Sequence, residues 1–223
     1  MIRPENLFFD VETVSVWDAL DDERRAYLSN GSPAIATADT AALSPFAGRV
    51  ACIGWAEEQG FVRVIVAARQ PVEATNSLIE WVGDERALLE RWWSIAARYR
   101  RIIGWNSRGF DAPFLRTRSI IANVPPTRNL LPYRYSFAEH CDLLEVVTAF
   151  GNTRRVSLDC MCRSVGIESP KAAGVAGNQV EQLWREERLV EIAEYCARDV
   201  AVLRPLFERL RPEARLMDPK GGL

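Results

Sequence analysis

The sequence predicts a mixed α/β fold, a sheet flanked by helices, and two observations carry that expectation. Short apolar segments with the alternation of a strand are interspersed with longer ones at helical spacing. Their order is strand, hairpin, helix, strand, helix, strand, then helices, the pattern of a mixed sheet. The chain has 223 residues, 48% of them hydrophobic, enough to bury a full core as one domain or at most two small ones.

The first strand is Leu7-Phe8-Phe9-Asp10-Val11-Glu12-Thr13. Side chains of an extended chain point alternately to opposite faces, so Leu7, Phe9 and Val11 share one face and Phe8, Asp10 and Glu12 the other. The two carboxylates then stand roughly 7 Å apart on one side. Like charges that close in a core strand are costly unless a cation sits between them, and a bound metal accounts for them. Residues 14–47 turn mixed and polar and are expected to form a long loop or insertion with one short helix near 22–28. Loops of that length in compact domains are usually functional or disordered.

Residues 49–56 and 61–68 read as a β-hairpin turning at Glu57-Glu58-Gln59-Gly60. Leu88, Leu89, Trp92, Ile95, Ala96 and Tyr99 recur at helical spacing over 85–99, and Trp92-Trp93 reads as core rather than as a stacking platform. Residues 101–105 form a short strand, 106–109 a turn, and a helix starts near Asp111. Residues 141–144 read as another strand, and Ser157 as the N-cap of a helix reaching about Val165. A Gly-rich loop over 169–178 follows. The last element is a long helix over 186–210, stopped at Arg211-Pro212, with a flexible tail over 213–223.

Composition narrows the function classes. With 28 basic and 30 acidic residues the net charge is -2, so no global positive field draws in nucleic acid; such binding must come from local patches or bound cations. Lysine occurs only at Lys171 and Lys220, a bias toward Arg that suits phosphate recognition but that a GC-rich genome explains better. Cys52, Cys141, Cys160, Cys162 and Cys196 form no CxxC, and with a single His they offer no zinc site. Reduced thiols, the lack of a signal peptide and the lack of a membrane-length apolar run lead us to expect a soluble cytoplasmic protein with no membrane partner.

Further carboxylates stand out by position. Ile192, Cys196, Asp199, Leu203, Leu206 and Leu210 follow four-three spacing and form one helix face with Asp199 in its middle. Taken alone, Asp199 reads first as a buried Asp paired with an Arg. Tyr195, one turn earlier, can bring its hydroxyl in front of that carboxylate. Asp111 sits where an ordinary helix cap would, with Pro113 in the first turn, yet it also follows a strand end, where α/β sheets gather ligands. His140 reads as a structural hydrogen-bonding residue and Asp142 as a candidate supporting residue. The arginines at 98, 100, 101, 154 and 155 read as solvated surface, though either group could touch phosphates.

Together, Phe9-Asp10-Val11-Glu12-Thr13, Asn106-x3-Phe110-Asp111-x-Pro113 and Tyr195-x3-Asp199 resemble the three motifs of the DEDD-type 3′–5′ exonucleases, Tyr subclass. The wording is most similar to the proofreading exonuclease domain of family B DNA polymerases and its stand-alone relatives. The His subclass would need a His about five residues before Asp199, where Glu194 stands.

This resemblance implies a ribonuclease H-like fold, a mixed five-stranded sheet with its first three strands antiparallel, over residues 1–212. It implies that Asp10, Glu12, Asp111 and Asp199 bind two divalent cations, Mg²⁺ or Mn²⁺, with Asp10 shared by both, and that Tyr195 orients the attacking water. Thr13, Asn106 and Phe110 would touch the substrate. The implied partner is a nucleic acid with a 3′ end, single-stranded or frayed, with DNA favoured over RNA, and a replication or repair protein is a candidate partner that the sequence does not identify. The chain would work free-standing or as a subunit of something larger. A Tyr-type exoribonuclease and an idle nucleic-acid-binding module of the same fold are the alternatives. The 14–47 segment is longer than a minimal domain of this type needs, and no motif ties Lys171 to the nucleic-acid backbone.

Overall fold

The computed structural model describes residues 5–31, 38–68, 78–170 and 179–218. The alternating N-terminal run forms β1 (Asn6–Ser15), a central strand of the sheet. Antiparallel to it lies β2 (Gly48–Glu57), which turns into antiparallel β3 (Arg63–Ala67), the expected hairpin. On the other side of β1, β5 (Arg101–Gly104) and β6 (His140–Asp142) add parallel strands. The expected mixed α/β sheet is thus present, but among the described residues it has six strands rather than five. The sixth, β4 (Ile79–Val82), pairs parallel with β3, giving the order β4-β3-β2-β1-β5-β6. Four half-exposed residues at a sheet edge are too few for alternation to register in sequence.

The faces of β1 part as alternation requires. Leu7, Phe9 and Val11 join a core with Trp92 and Phe114, from α3 (Glu85–Ala96) and α4 (Asp111–Ile121). The Asp84 carboxylate caps α3 by accepting the Ala87 N–H at 2.9 Å, and Trp92 and Trp93 are both buried. On the other face Phe8 packs with Leu203, Leu206 and Phe207 of α8 (Leu189–Met217). Asp10 and Glu12 share that second face, beneath α8.

Between β1 and β2, a 3-10 turn at Trp17–Ala19 precedes α1 (Asp22–Gly31), which covers the expected short helix, and α2 (Ala38–Ala41). The excursion closes at its base, where the Val16 N–H donates to the Ala47 carbonyl at 2.8 Å.

Other expectations are corrected. The strand expected over 141–144 ends at Asp142, and Leu143 opens α5 (Leu143–Thr148), because the Asp142 carboxylate caps that helix through the Leu144 N–H at 2.9 Å. Helix α6 (Leu158–Ser164) is capped by Ser157 as expected, its Oγ accepting the Cys160 N–H at 3.2 Å. The long helix expected over 186–210 starts later: a separate α7 (Val180–Arg185) ends before a left-handed Glu187, and α8 begins at Leu189. It then runs past Pro212 to Met217 rather than stopping there, so residues 213–217, expected in the tail, are helical. An internal proline costs about 3 kcal/mol. Burial of Ala214, just beyond Pro212, offsets part of it. The Asp218 carboxylate, accepting the Phe137 N–H at 3.0 Å, ties down the helix end.

Arg101 also departs from its expected place at the surface. It is buried in β5, donating to the Phe137 carbonyl and the Asn6 side chain, each at 2.7 Å. Lys171, the Gly-rich stretch at 171–178 and residues 219–223 lie outside the described residues. No helix among the described residues is long and apolar enough to cross a membrane.

Candidate active site

Three elements bring the singled-out carboxylates to one cleft of about 480 Å³, where Asp10 from β1, Asp111 from the start of α4 and Tyr195 and Asp199 from α8 form the lining. Glu12 lies beside them, close enough to Asp10, Asp199 and Asp111 to feel their charge. The helix reaches the strand because of Gly54, which stands opposite Asp10 on β2. A Cβ there would lie 2.8 Å from Val200 Cγ2 and 2.9 Å from Cys196 Sγ, so only glycine lets α8 press this closely onto the sheet.

Asp111 is delivered by a rigid turn. Asn106 takes a left-handed backbone (φ 56°), a conformation asparagine tolerates better than most residues. The Asp142 carboxylate accepts the N–H groups of Asn106 and Arg108, both at 2.9 Å, in addition to capping α5. Asp142 is buried, and burial raises its pKa against these three hydrogen bonds. The Ser107 hydroxyl meets His140 Nε2 at 2.8 Å, while His140 Nδ1 lies 2.7 Å from the Leu130 carbonyl. Burial drives the His140 pKa down to about 3, so the ring is neutral at physiological pH. The carbonyl can only accept; hence Nδ1 carries the proton and Nε2 accepts from Ser107. His140 therefore has the structural role expected of it. Asp111 itself is the first helical residue and not the cap, a position occupied by Phe110 without a side-chain hydrogen bond.

The electrostatics are those of concentrated like charge. Burial, then Asp111 and Asp199, raise the Asp10 carboxyl well above its ordinary value. Burial, then Asp10, Asp199 and Asp111, do the same for Glu12. Burial pushes Asp111 up to about 7. Among the described residues no basic side chain forms an ion pair with Asp10, Glu12 or Asp111. Tyr195 hydrogen-bonds the Asp199 carboxylate, and burial together with the charges of Glu12, Asp199 and Asp10 keeps its hydroxyl protonated far above neutral pH. The Cys196 thiol comes within 4.8 Å of ligand atoms of Asp10 and Glu12. Its hydrogen bond with Cys52, then burial, hold it as a thiol. The available donors are thus hard carboxylate oxygens crowded together, a set that fits Mg²⁺ or Mn²⁺.

Asn106 and Phe110 line the cleft too, and Phe110 packs on Phe114 with ring centroids 5.4 Å apart. Thr13 does not: alternation turns it to the opposite face from Asp10 and Glu12, and it is buried there. Trp105, Asp159 and Arg155 are additional lining residues, and only their types could have hinted at it. A cleft of similar size, about 470 Å³, lies between the end of α3 and Glu139, but Arg128 there is bonded to the carbonyls of Ala96, Tyr99, Arg100 and Glu139.

Residues 51–211 match the family described as predicted 3′–5′ exonuclease related to the exonuclease domain of PolB. Asp111, Tyr195 and Asp199 fall within that span, whereas Asp10 and Glu12 precede it. No curated protein matches the chain. Among solved structures, the family B DNA polymerase of the hyperthermophilic archaeon Pyrobaculum calidifontis is similar to 95% of this chain, with a TM-score of 0.64 and 20% identity. At that identity the likeness shows the fold, and the chain spans 26% of the polymerase.

Proposed function

The chain belongs to the family of predicted 3′–5′ exonucleases related to the exonuclease domain of PolB, and on that premise we propose that it is a metal-dependent 3′–5′ exonuclease. It hydrolyses phosphodiester bonds at single-stranded or frayed 3′ ends, DNA ahead of RNA. One observation carries the reading: Asp10, Glu12, Asp111 and Asp199 crowd together beside Tyr195 at a single cleft, and Asp10, Glu12 and Asp111 lack a basic ion-pair partner among the described residues. The preference for DNA leans on the likeness to a DNA polymerase.

The four carboxylates would hold two divalent cations, Mg²⁺ or Mn²⁺. Two such ions, when bound, supply a nucleophilic water at neutral pH and counter-charge for the leaving 3′ oxygen. Tyr195 stays protonated, so it does not act as the base. Its hydroxyl donates to the Asp199 carboxylate, which leaves the phenolic oxygen to orient the water by accepting a hydrogen bond from it. Asn106 offers an amide to the terminal nucleotide and Phe110 an aromatic ring. The Thr13 side chain, turned to the opposite face of β1, is given no role here.

The test is digestion of matched 5′-labelled DNA and RNA oligonucleotides with Mg²⁺ or Mn²⁺. A ladder shortening from the 3′ end is expected, faster on DNA, with Asp10→Ala slower by about a hundredfold or more. Undiminished activity in Asp10→Ala, or no shortening at all, rejects the proposal, and faster digestion of RNA makes the protein an exoribonuclease.

A further inference from the structure

We infer that Arg155 binds the phosphodiester next to the scissile one, on its 5′ side, and so sets how a 3′ end lies in the cleft. This rests on the exonuclease reading. Most charged side chains lining the cleft are acidic, namely Asp10, Asp111, Asp159 and Asp199. Arg155 lines it as well, yet its Nη2 contacts the Asn106 amide oxygen and none of those carboxylates. It forms no ion pair among the described residues, although four carboxylates share its cleft.

The surroundings hold the guanidinium there. Asn106 is fixed through its backbone N–H to Asp142. Gly109 leaves the room: a Cβ at that position would overlap Asn106 Oδ1 and lie 3.2 Å from Arg155 Nη2. A guanidinium carries five N–H donors in a planar fork that matches phosphate, and the Asn106 contact engages only part of it.

Position selects which phosphate it takes. The carboxylates proposed to hold the cations, Asp10, Glu12, Asp111 and Asp199, stand on β1, α8 and the first residue of α4, whereas Arg155 sits on the segment leading into α6 and against the turn after β5. Cations held by the carboxylates would neutralise the scissile phosphate. The neighbouring phosphate enters the same acidic cleft with its full charge and needs a cation from the protein. For an enzyme that removes the last nucleotide, that neighbour is the penultimate linkage.

The test compares wild type, Arg155→Ala and Arg155→Lys on two DNA oligonucleotides, timing the first cut. One is all-phosphate, and the other has an uncharged methylphosphonate at the penultimate linkage. On the all-phosphate strand Arg155→Ala should lose about tenfold to a hundredfold in kcat/KM, chiefly through KM, and Arg155→Lys should recover part of it. On the methylphosphonate strand wild type and Arg155→Ala should converge, because the partner of the guanidinium is gone. An Arg155→Ala variant without loss on the all-phosphate strand, or with an equal loss on both, overturns the inference. A wild type that shortens neither strand fails the exonuclease reading itself, and that arm is read before any variant.

Discussion

Replacing Asp111 with Asn should stabilise the metal-free protein above neutral pH. Asp111 is 3% exposed, and burial raises its carboxyl from 3.8 to about 7. The unfolded chain therefore releases this proton first as pH rises. Between about pH 4 and pH 7 the folded state binds more protons than the unfolded one, so stability falls over that range. At pH 8 the loss is complete and amounts to about 4 kcal/mol, taking about 1.4 kcal/mol for each unit between the two values. Asn removes the charge and keeps the volume, but it accepts less well from the Val11 N–H that the carboxylate engages. The net gain should be about 2–4 kcal/mol, a rise in Tm of about 5–15 °C for a chain of this size. At pH 5 the gain should shrink by more than half, because the folded carboxyl is already protonated. Urea unfolding in EDTA at both pH values measures it. Adding Mn²⁺ at pH 8 should stabilise wild type more than the variant. A variant no more stable than wild type at pH 8, with a difference indifferent to pH, would refute the picture of Asp111 as a carboxylate whose burial disfavours its charge.

Tyr195→Phe should keep the fold and lower single-turnover cleavage by about a hundredfold, and undiminished cleavage would remove the hydroxyl from the mechanism. Gly54→Ala should cost about 1–3 kcal/mol in urea unfolding, since its Cβ meets Val200 and Cys196 below 3 Å; an unchanged midpoint would mean that α8 can retreat without penalty. Asp142→Ala strips the acceptor from three N–H groups and should cost about 3–5 kcal/mol while slowing cleavage, with Asp142→Asn in between. Wild-type stability and rate in Asp142→Ala would show that the turn before Asp111 holds itself.

Much of this molecule could be read locally. Strand alternation put Asp10 and Glu12 on one face and also turned Thr13 away from them, a consequence that the motif-based expectation for Thr13 overlooked. Helical spacing put Tyr195 and Asp199 one turn apart within an apolar stripe. The end of α8 is not legible locally: Pro212 is a strong local stop, outweighed by the burial of Ala214 and the anchoring of Asp218. Nor is the place of Arg101, whose residue type suggests a surface position although it is buried in β5.

Which side chains share a face is a property of backbone geometry, repeating every two residues in a strand and about every 3.6 in a helix, and a linear sequence carries it in full. Which faces meet is a property of packing between distant segments. Only that packing drew Gly54 beneath Cys196 and Val200, set Asp142 against the backbone at Asn106 and Arg108, and laid Arg155 on Asn106. Each of these contacts joins segments that no local period relates, so residue type alone did not disclose them.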